Sequence, residues 1–233
     1  MNINKTYLFL VFLVFLELLF VNVAQAQSTY QFGALPSLNI NNKFQNGWSL
    51  NSKVESRQLM KSGNFNGNSN TEYKYVLTDF SFITAKKIGL NSRIAGGYLF
   101  RLRETEIFHR FIQQYTIVQK MNGFRLAHRF SSDQTFSNGE KPEFRLRYRI
   151  TSEIPLNGES VDPKEFYIKL NNEYINSWQG TDYDFEIRLV PLLGYDITDN
   201  NKIEVGLDYR VNSFLNNNTR HSFWLSLNWF IEI

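Results

Sequence analysis

The sequence contains no cysteine, so neither a disulfide framework nor a cysteine-based metal or redox site can be part of this protein. Beyond residue 26 it also lacks any apolar run long enough for a transmembrane helix. The 25 basic and 22 acidic residues give a net charge of +3, and neither sign is gathered into blocks. We therefore predict no nucleic-acid partner, and the charge supports only a weak attraction to anionic lipid or solute.

Aromatic residues are abundant, by contrast, and make up 16% of the chain. This content is high for a soluble domain and is typical of membrane barrels that carry aromatic girdles. The length of 233 residues is enough for one domain of barrel size.

Residues 1–26 have the pattern of a secretory signal peptide. Lys5 supplies the positive charge, residues 8–20 form the apolar segment, and Ala24-Gln25-Ala26 fits the small-x-small rule for cleavage. The alternative is an uncleaved anchor helix, but the apolar segment is short for one. We predict that residues 27–233 form one domain after export.

Strict alternation of apolar and polar residues runs from Lys202 to Asn212. Ile203, Val205 and Leu207 share one face of this segment, whereas Glu204 and Asp208 lie on the other. A tilted strand needs roughly 9–11 residues to cross a bilayer, so this segment is long enough. The same alternation recurs along the chain, and no helix pattern or nucleotide-binding loop interrupts it. It predicts an all-β, antiparallel up-and-down transmembrane β-barrel of 10–12 strands.

About eleven strand segments can be counted, although bacterial barrels have an even number with both termini in the periplasm. Tyr30 to Asn41 alternates only loosely and contains Pro36, so omitting it leaves ten strands, whereas splitting another segment gives twelve. With ten strands, the periplasmic turns lie at Asn46, Lys87, Asn122, Asn157 and Asn200. The external loops then lie at Asn64, Asn138, Gln179 and Asn216.

Alternation alone does not say which face points outward, because a soluble lipocalin-like barrel has its apolar face inside. The export signal favours the membrane barrel, and so does a second feature, the position of aromatic residues at the strand ends. One predicted girdle consists of Trp48, Phe82, Phe124, Tyr195 and Trp229, and the other of Phe100, Phe144, Tyr183 and Phe223.

The order of several short motifs resembles a known family. These motifs are Trp48-Ser49-Leu50, Phe108-His109-Arg110, Leu126-Ala127-His128-Arg129, Phe144-Arg145-Leu146-Arg147-Tyr148, Asn172-Glu173, and Glu204-Val205-Gly206-Leu207-Asp208-Tyr209. The set is similar to the outer-membrane barrel family catalogued as domain of unknown function 2490, found in Gram-negative bacteria. The resemblance covers the whole mature chain. It implies an outer-membrane barrel and supplies no activity and no catalytic residues.

Charged residues on the polar faces are the candidate lumen residues. They are Arg125, Arg129, Arg145, Arg147, Arg149, Glu173, Glu186, Arg188, Glu204 and Asp208. One interpretation is an anion-selective constriction, and the other is structural pairing of opposite charges across strands in a lumen that is mostly filled. We predict no metal or cofactor.

A lipid-acting enzyme is the alternative function, and it would use His109 or His128 with a serine of the Ser137-Asn138-Gly139 segment. On a hairpin centred on Asn122 the two histidines lie at different heights, so they cannot act together. We expect no enzyme, and predict a porin-like or structural barrel of the outer membrane. Its expected partners are outer-membrane lipids, the barrel-assembly machinery and a small solute.

Overall fold

The computed structural model describes residues 28–216 and 218–233, with the side chain of Phe214 excepted. The signal peptide predicted at residues 1–26 lies outside the described residues. No helix in the described part of the chain is both long enough and apolar enough to cross a membrane.

Eleven strands form one closed barrel in which each strand pairs with its neighbours in sequence. They are β1 (Thr29–Lys43), β2 (Trp48–Asn64), β3 (Ser69–Lys87), β4 (Ser92–Arg103), β5 (Glu106–Met121), β6 (Phe124–Ser137), β7 (Glu143–Pro155), β8 (Phe166–Gln179), β9 (Asp182–Thr198), β10 (Asn201–Asn212) and β11 (Arg220–Glu232). The predicted fold class of an all-β barrel with 10–12 strands is thus confirmed.

The argument that the strand number must be even was wrong. An odd number of antiparallel strands brings the first and last strands together in the same direction, and β1 does pair with β11 in parallel. This seam extends to the last residue, since the Ile233 N–H donates to the Asn41 carbonyl at 2.9 Å. The described chain therefore starts at one end of the barrel and finishes at the other, which we call the N-terminal and C-terminal ends.

The segment around Pro36 belongs to the barrel, although its irregular pattern suggested leaving it out. Strand β1 pairs with β2 on both sides of Pro36, but the pairing is interrupted at Leu35 and Pro36. Proline has no N–H to donate, so a strand that contains it loses part of its ladder there. The parallel partner β11 continues past the same point without a break.

Most turns lie where the sequence predicted them. Gln45–Gly47 and Asn122-Gly123 close hairpins, and Gly47 and Gly123 have φ values of 75° and 77°, which glycine adopts without strain. The predicted loop at Asn64 is short, because β2 continues to Asn64 and β3 begins at Ser69. The turns predicted as periplasmic gather at the C-terminal end, and those predicted as external gather at the N-terminal end.

The apolar and charged faces are distributed in the opposite way to those of a water-soluble barrel. On β10, Val205 is 43% exposed and Leu207 is 38% exposed, whereas Glu204 and Asp208 are buried inside. Exposed large apolar side chains occur on every strand of the barrel. The predicted girdle residues do lie near the two ends. Phe124 is buried, although the alternation of β6 places it on the same face as the exposed Phe130.

Apolar residues also enter the interior, which the sequence did not predict. Trp224 and Leu77 are fully buried, and the Trp224 ring passes over Gly33 of the neighbouring strand. Near the C-terminal end, Tyr167 lies across Gly194 in the same way. Each of these two rings thus depends on the glycine beside it, because a side chain there would occupy the same space.

Gly194→Ala should destabilise the barrel by about 1–3 kcal/mol, the usual cost of overpacking. The new Cβ would lie only 2.1 Å from a Tyr167 ring atom, so the ring would have to move. Gly96→Ala is the matched control, since its Cβ would have nothing within 4 Å. The temperature at which the folded electrophoretic band converts to the unfolded one measures the effect. Equal temperatures for the two variants would contradict this packing.

Candidate functional site: the charged lumen

The interior of the barrel encloses a cavity of about 550 Å³ that is lined mainly by charged side chains. Eleven of these side chains are basic and six are acidic. They project inward because every second residue of a strand faces the same side. Nine of the ten predicted lumen residues line this cavity: Arg129, Arg145, Arg147, Arg149, Glu173, Glu186, Arg188, Glu204 and Asp208.

The tenth predicted residue, Arg125, is placed differently. It lies next to the turn at the C-terminal end, its side chain is 48% exposed, and it pairs with Glu153 at 3.0 Å. Its position in the alternation matches that of Arg129, but the strand ends there, so the side chain reaches the rim and not the cavity.

Two carboxylates hold the arginines of β5–β9 together. Asp133, fully buried, accepts from the Arg145 Nε at 2.6 Å and from the Arg147 Nη1 at 3.3 Å. Glu173, also buried, accepts from the Arg147 Nη2 at 2.8 Å and from the Arg149 Nη2 at 3.0 Å. Arg147 therefore bridges both carboxylates. Buried charges persist only when they are paired and hydrogen-bonded in this way.

Two further pairs contribute to the charged wall. The Arg101 guanidinium donates two hydrogen bonds to Asp79, at 2.7 and 2.8 Å. Arg210 binds Asp208 in the same two-pronged geometry, with both contacts at 2.8 Å. Paired N–H donors match the two oxygens of a carboxylate, which makes such contacts geometrically specific.

A third carboxylate, Glu204, organises the interior towards the C-terminal end. It accepts a hydrogen bond from the Tyr167 hydroxyl at 2.8 Å and is bound by the Lys169 ammonium at 2.8 Å. The same ammonium lies 5.4 Å from the centre of the Phe230 ring. Favourable cation–π contacts of this kind occur within about 6 Å.

Neutral groups cover the wall next to the parallel seam. The Ser37 hydroxyl donates to the Asn228 Oδ1 at 2.7 Å, and the Gln31 amide donates to the Ser222 hydroxyl at 2.7 Å. The interior therefore has a charged wall on β2–β10 and an amide and hydroxyl wall on β1 and β11.

Five of the interior residues form one row, which we call the arginine row. The residues are Arg129, Arg149, Glu173, Arg188 and Arg210, on β6 to β10 in that order. Each lies directly opposite the next in the strand register, so the row crosses five strands at one level.

Several residues that line the cavity are absent from the predicted set of ten, although the alternation puts most of them on the polar faces. Lys53, Glu55, Arg57, Asp79, Arg101, Arg110, Lys169 and Arg210 also line the cavity. Arg110 was hidden by its context, because Ile112 and Arg110 share the inward face of β5 and both are buried. A strand with apolar residues on both faces gives no clear polar stripe.

The three histidines lie apart from the charged lumen, and each contacts a tyrosine on the adjacent strand. His109 contacts Tyr98, while His128 bonds the Tyr148 hydroxyl at 2.8 Å. His221 bonds the Tyr209 hydroxyl at 2.9 Å. In the described part of the chain, no serine hydroxyl bonds a histidine. Nor do three or more His, Asp or Glu side chains gather there as a metal site would require.

Glu173→Gln should lower the free energy of unfolding by about 3–5 kcal/mol, because it removes the shared counterion of several buried arginines. The control is Glu159→Gln, in the exposed turn between β7 and β8. The two variants can be compared by the temperature of band conversion in detergent. If both variants converted at the same temperature, the ion pairs of Glu173 would not stabilise the barrel.

A family model described as a protein of unknown function (DUF2490) matches residues 32–223, most of the chain. No curated protein and no solved structure gives a significant match. The matched segment begins in β1, ends in β11 and includes the whole arginine row. The chain therefore belongs to the family of proteins of unknown function DUF2490.

Proposed function

We propose that this protein is an outer-membrane β-barrel that forms a narrow, largely filled channel with a preference for anions. The observation that carries the proposal is the distribution of side chains. Large apolar residues such as Leu207 and Leu225 are exposed on the outer face, whereas Glu173 and Asp133 are buried within. Lipid is the environment in which this arrangement is favourable, because it solvates apolar side chains and leaves the charges in a polar lumen.

Strand length and end residues support the same proposal. The strands contain 12–19 residues, more than the roughly 9–11 needed to cross a bilayer. Trp48 and Trp229 are exposed near the C-terminal end, and Phe144 and Tyr183 are exposed near the other. Aromatic side chains at two heights suit the two interfaces of a membrane. Outer-membrane lipids and the barrel-assembly machinery remain the predicted partners.

The anion preference follows from the charges of the cavity. Its eleven basic and six acidic lining residues, with Asp133 behind them, leave an excess of four positive charges. A ring of fixed positive charge favours passage of anions over cations. The many arginine side chains occupy most of the space, which favours a narrow passage over a wide pore.

Neither alternative function has a comparable observation in its favour. A lipocalin-like binder would present apolar residues to its ligand inside the barrel, but the cavity here is mostly charged. A lipid-acting enzyme would need a nucleophile beside a base, and the histidines bond tyrosines instead.

Substitution on the outer face tests the membrane location. Leu207→Arg should cost about 2–4 kcal/mol in a bilayer and reduce the amount of folded protein in the outer-membrane fraction. Leu215→Arg, in the turn after β10, is the control and should have no effect. Detergent extraction followed by electrophoresis with and without boiling gives the measurement. Recovery of the wild type without detergent, or of both variants at equal yield, would contradict the proposal.

Conductance in planar bilayers tests the channel. Wild-type protein should give small current steps with a reversal potential that favours anions, and Arg129→Glu should shift it towards cations. Arg129 is the right position because it lines the cavity with one distant ion pair, whereas Arg147 holds both Asp133 and Glu173. Lys141→Glu, in the exposed turn between β6 and β7, controls for charge alone. A bilayer that stays silent would contradict the channel and favour a structural barrel.

A further inference from the structure

The arginine row places like charges side by side. Arg129 lies directly opposite Arg149, and Arg188 lies directly opposite Arg210. Like charges directly opposite each other on adjacent strands are destabilising. One carboxylate, that of Glu173, stands between the two pairs. Four positive charges therefore share one negative charge within the row itself.

Carboxylates outside the arginine row neutralise only the arginines of β9 and β10. Arg210 binds Asp208, two residues before it on the same strand, and Arg188 binds Glu186 in the same relation. Neither Arg129 nor Arg149 has such a neighbour, and both depend on Glu173. The Arg149 contact is short, at 3.0 Å, but the Arg129 Nη2 is 4.0 Å from the nearest Glu173 oxygen.

Arg129 is thus an arginine without a close counterion. Within the described residues it makes no hydrogen bond, and its one ion pair is the 4.0 Å contact with Glu173. Arg149 also has spare capacity, since its Nε is buried and has no hydrogen-bond partner in the described part of the chain. A guanidinium has five N–H donors, so both residues can still donate hydrogen bonds to an oxyanion.

Arg129 and Arg149 are both open to the cavity. Both side chains line it, and each is 28% exposed. A volume of about 550 Å³ is within the usual range of roughly 300–1,000 Å³ for small-molecule sites. A small solute can therefore reach the two guanidinium groups without displacing Glu173.

We propose that Arg129 and Arg149 bind a small oxyanion carrying phosphate or carboxylate groups in the lumen. Such an anion would provide a counterion for two arginines that the strand register places opposite each other. Its oxygens match the planar, forked arrangement of N–H groups on each guanidinium. Chloride lacks that geometry and binds only as a point charge. The proposal rests on the lumen of the proposed channel, but binding can be measured in detergent without any conduction.

The experiment is a calorimetric titration of the detergent-solubilised full-length protein with inorganic phosphate and, separately, with succinate, in a constant chloride background. We expect saturable binding of at least one of them, weakened about tenfold or more by Arg129→Gln, as for the loss of a charge-assisted hydrogen bond. Lys141→Gln removes the same charge in an exposed turn and should bind as the wild type does. The anion that binds more tightly shows whether the site prefers a phosphate or a carboxylate group.

Two results would overturn the site: no saturable binding of either anion to the wild type, or equal binding by Arg129→Gln and the wild type when both are folded by band conversion. Neither result would contradict the proposed channel, provided that the measured conductance is anion-selective. Binding that is lost in Arg129→Gln, with a silent bilayer, would support the site and contradict the channel.

Discussion

The pairing of guanidinium groups with a few buried carboxylates is the interaction on which this barrel depends. Asp133, Glu173 and Glu204 are almost completely buried, and each binds at least one cation and accepts two or more hydrogen bonds. Removing such charges from water costs several kcal/mol per ion, and only close, well-aligned partners offset that cost. Arginine suits this role because one side chain can bridge two carboxylates, as Arg147 does.

The parallel seam is a second constraint that shapes the interior. Closing eleven strands requires β1 and β11 to run in the same direction, and their inner faces carry amides and hydroxyls in place of charges. The ion pairs are therefore concentrated on the wall away from the seam. This asymmetry gives the lumen one strongly positive side, which suits a passage or a site for anions.

Much of the fold could be predicted from the sequence, because period-two alternation is a local property. The strand Lys202–Asn212, the hairpin at Asn122 and nine of the ten proposed lumen residues lie where the pattern placed them. Prediction failed where a residue departs from the pattern. Pro36 suggested removing β1, and the buried Trp224, Leu77 and Ile112 were not assigned to the interior.

The sequence by itself determined the fold class, the two unlike faces of each strand and the identity of most interior charges. Only the tertiary structure decided the odd strand number, the parallel seam and the partners of each arginine. The physical reason is that alternation specifies which face of the strand a side chain is on, whereas strand register specifies which side chains lie beside it. That Arg129 lies opposite Arg149, and Arg188 opposite Arg210, depends on how the strands are aligned around the closed barrel.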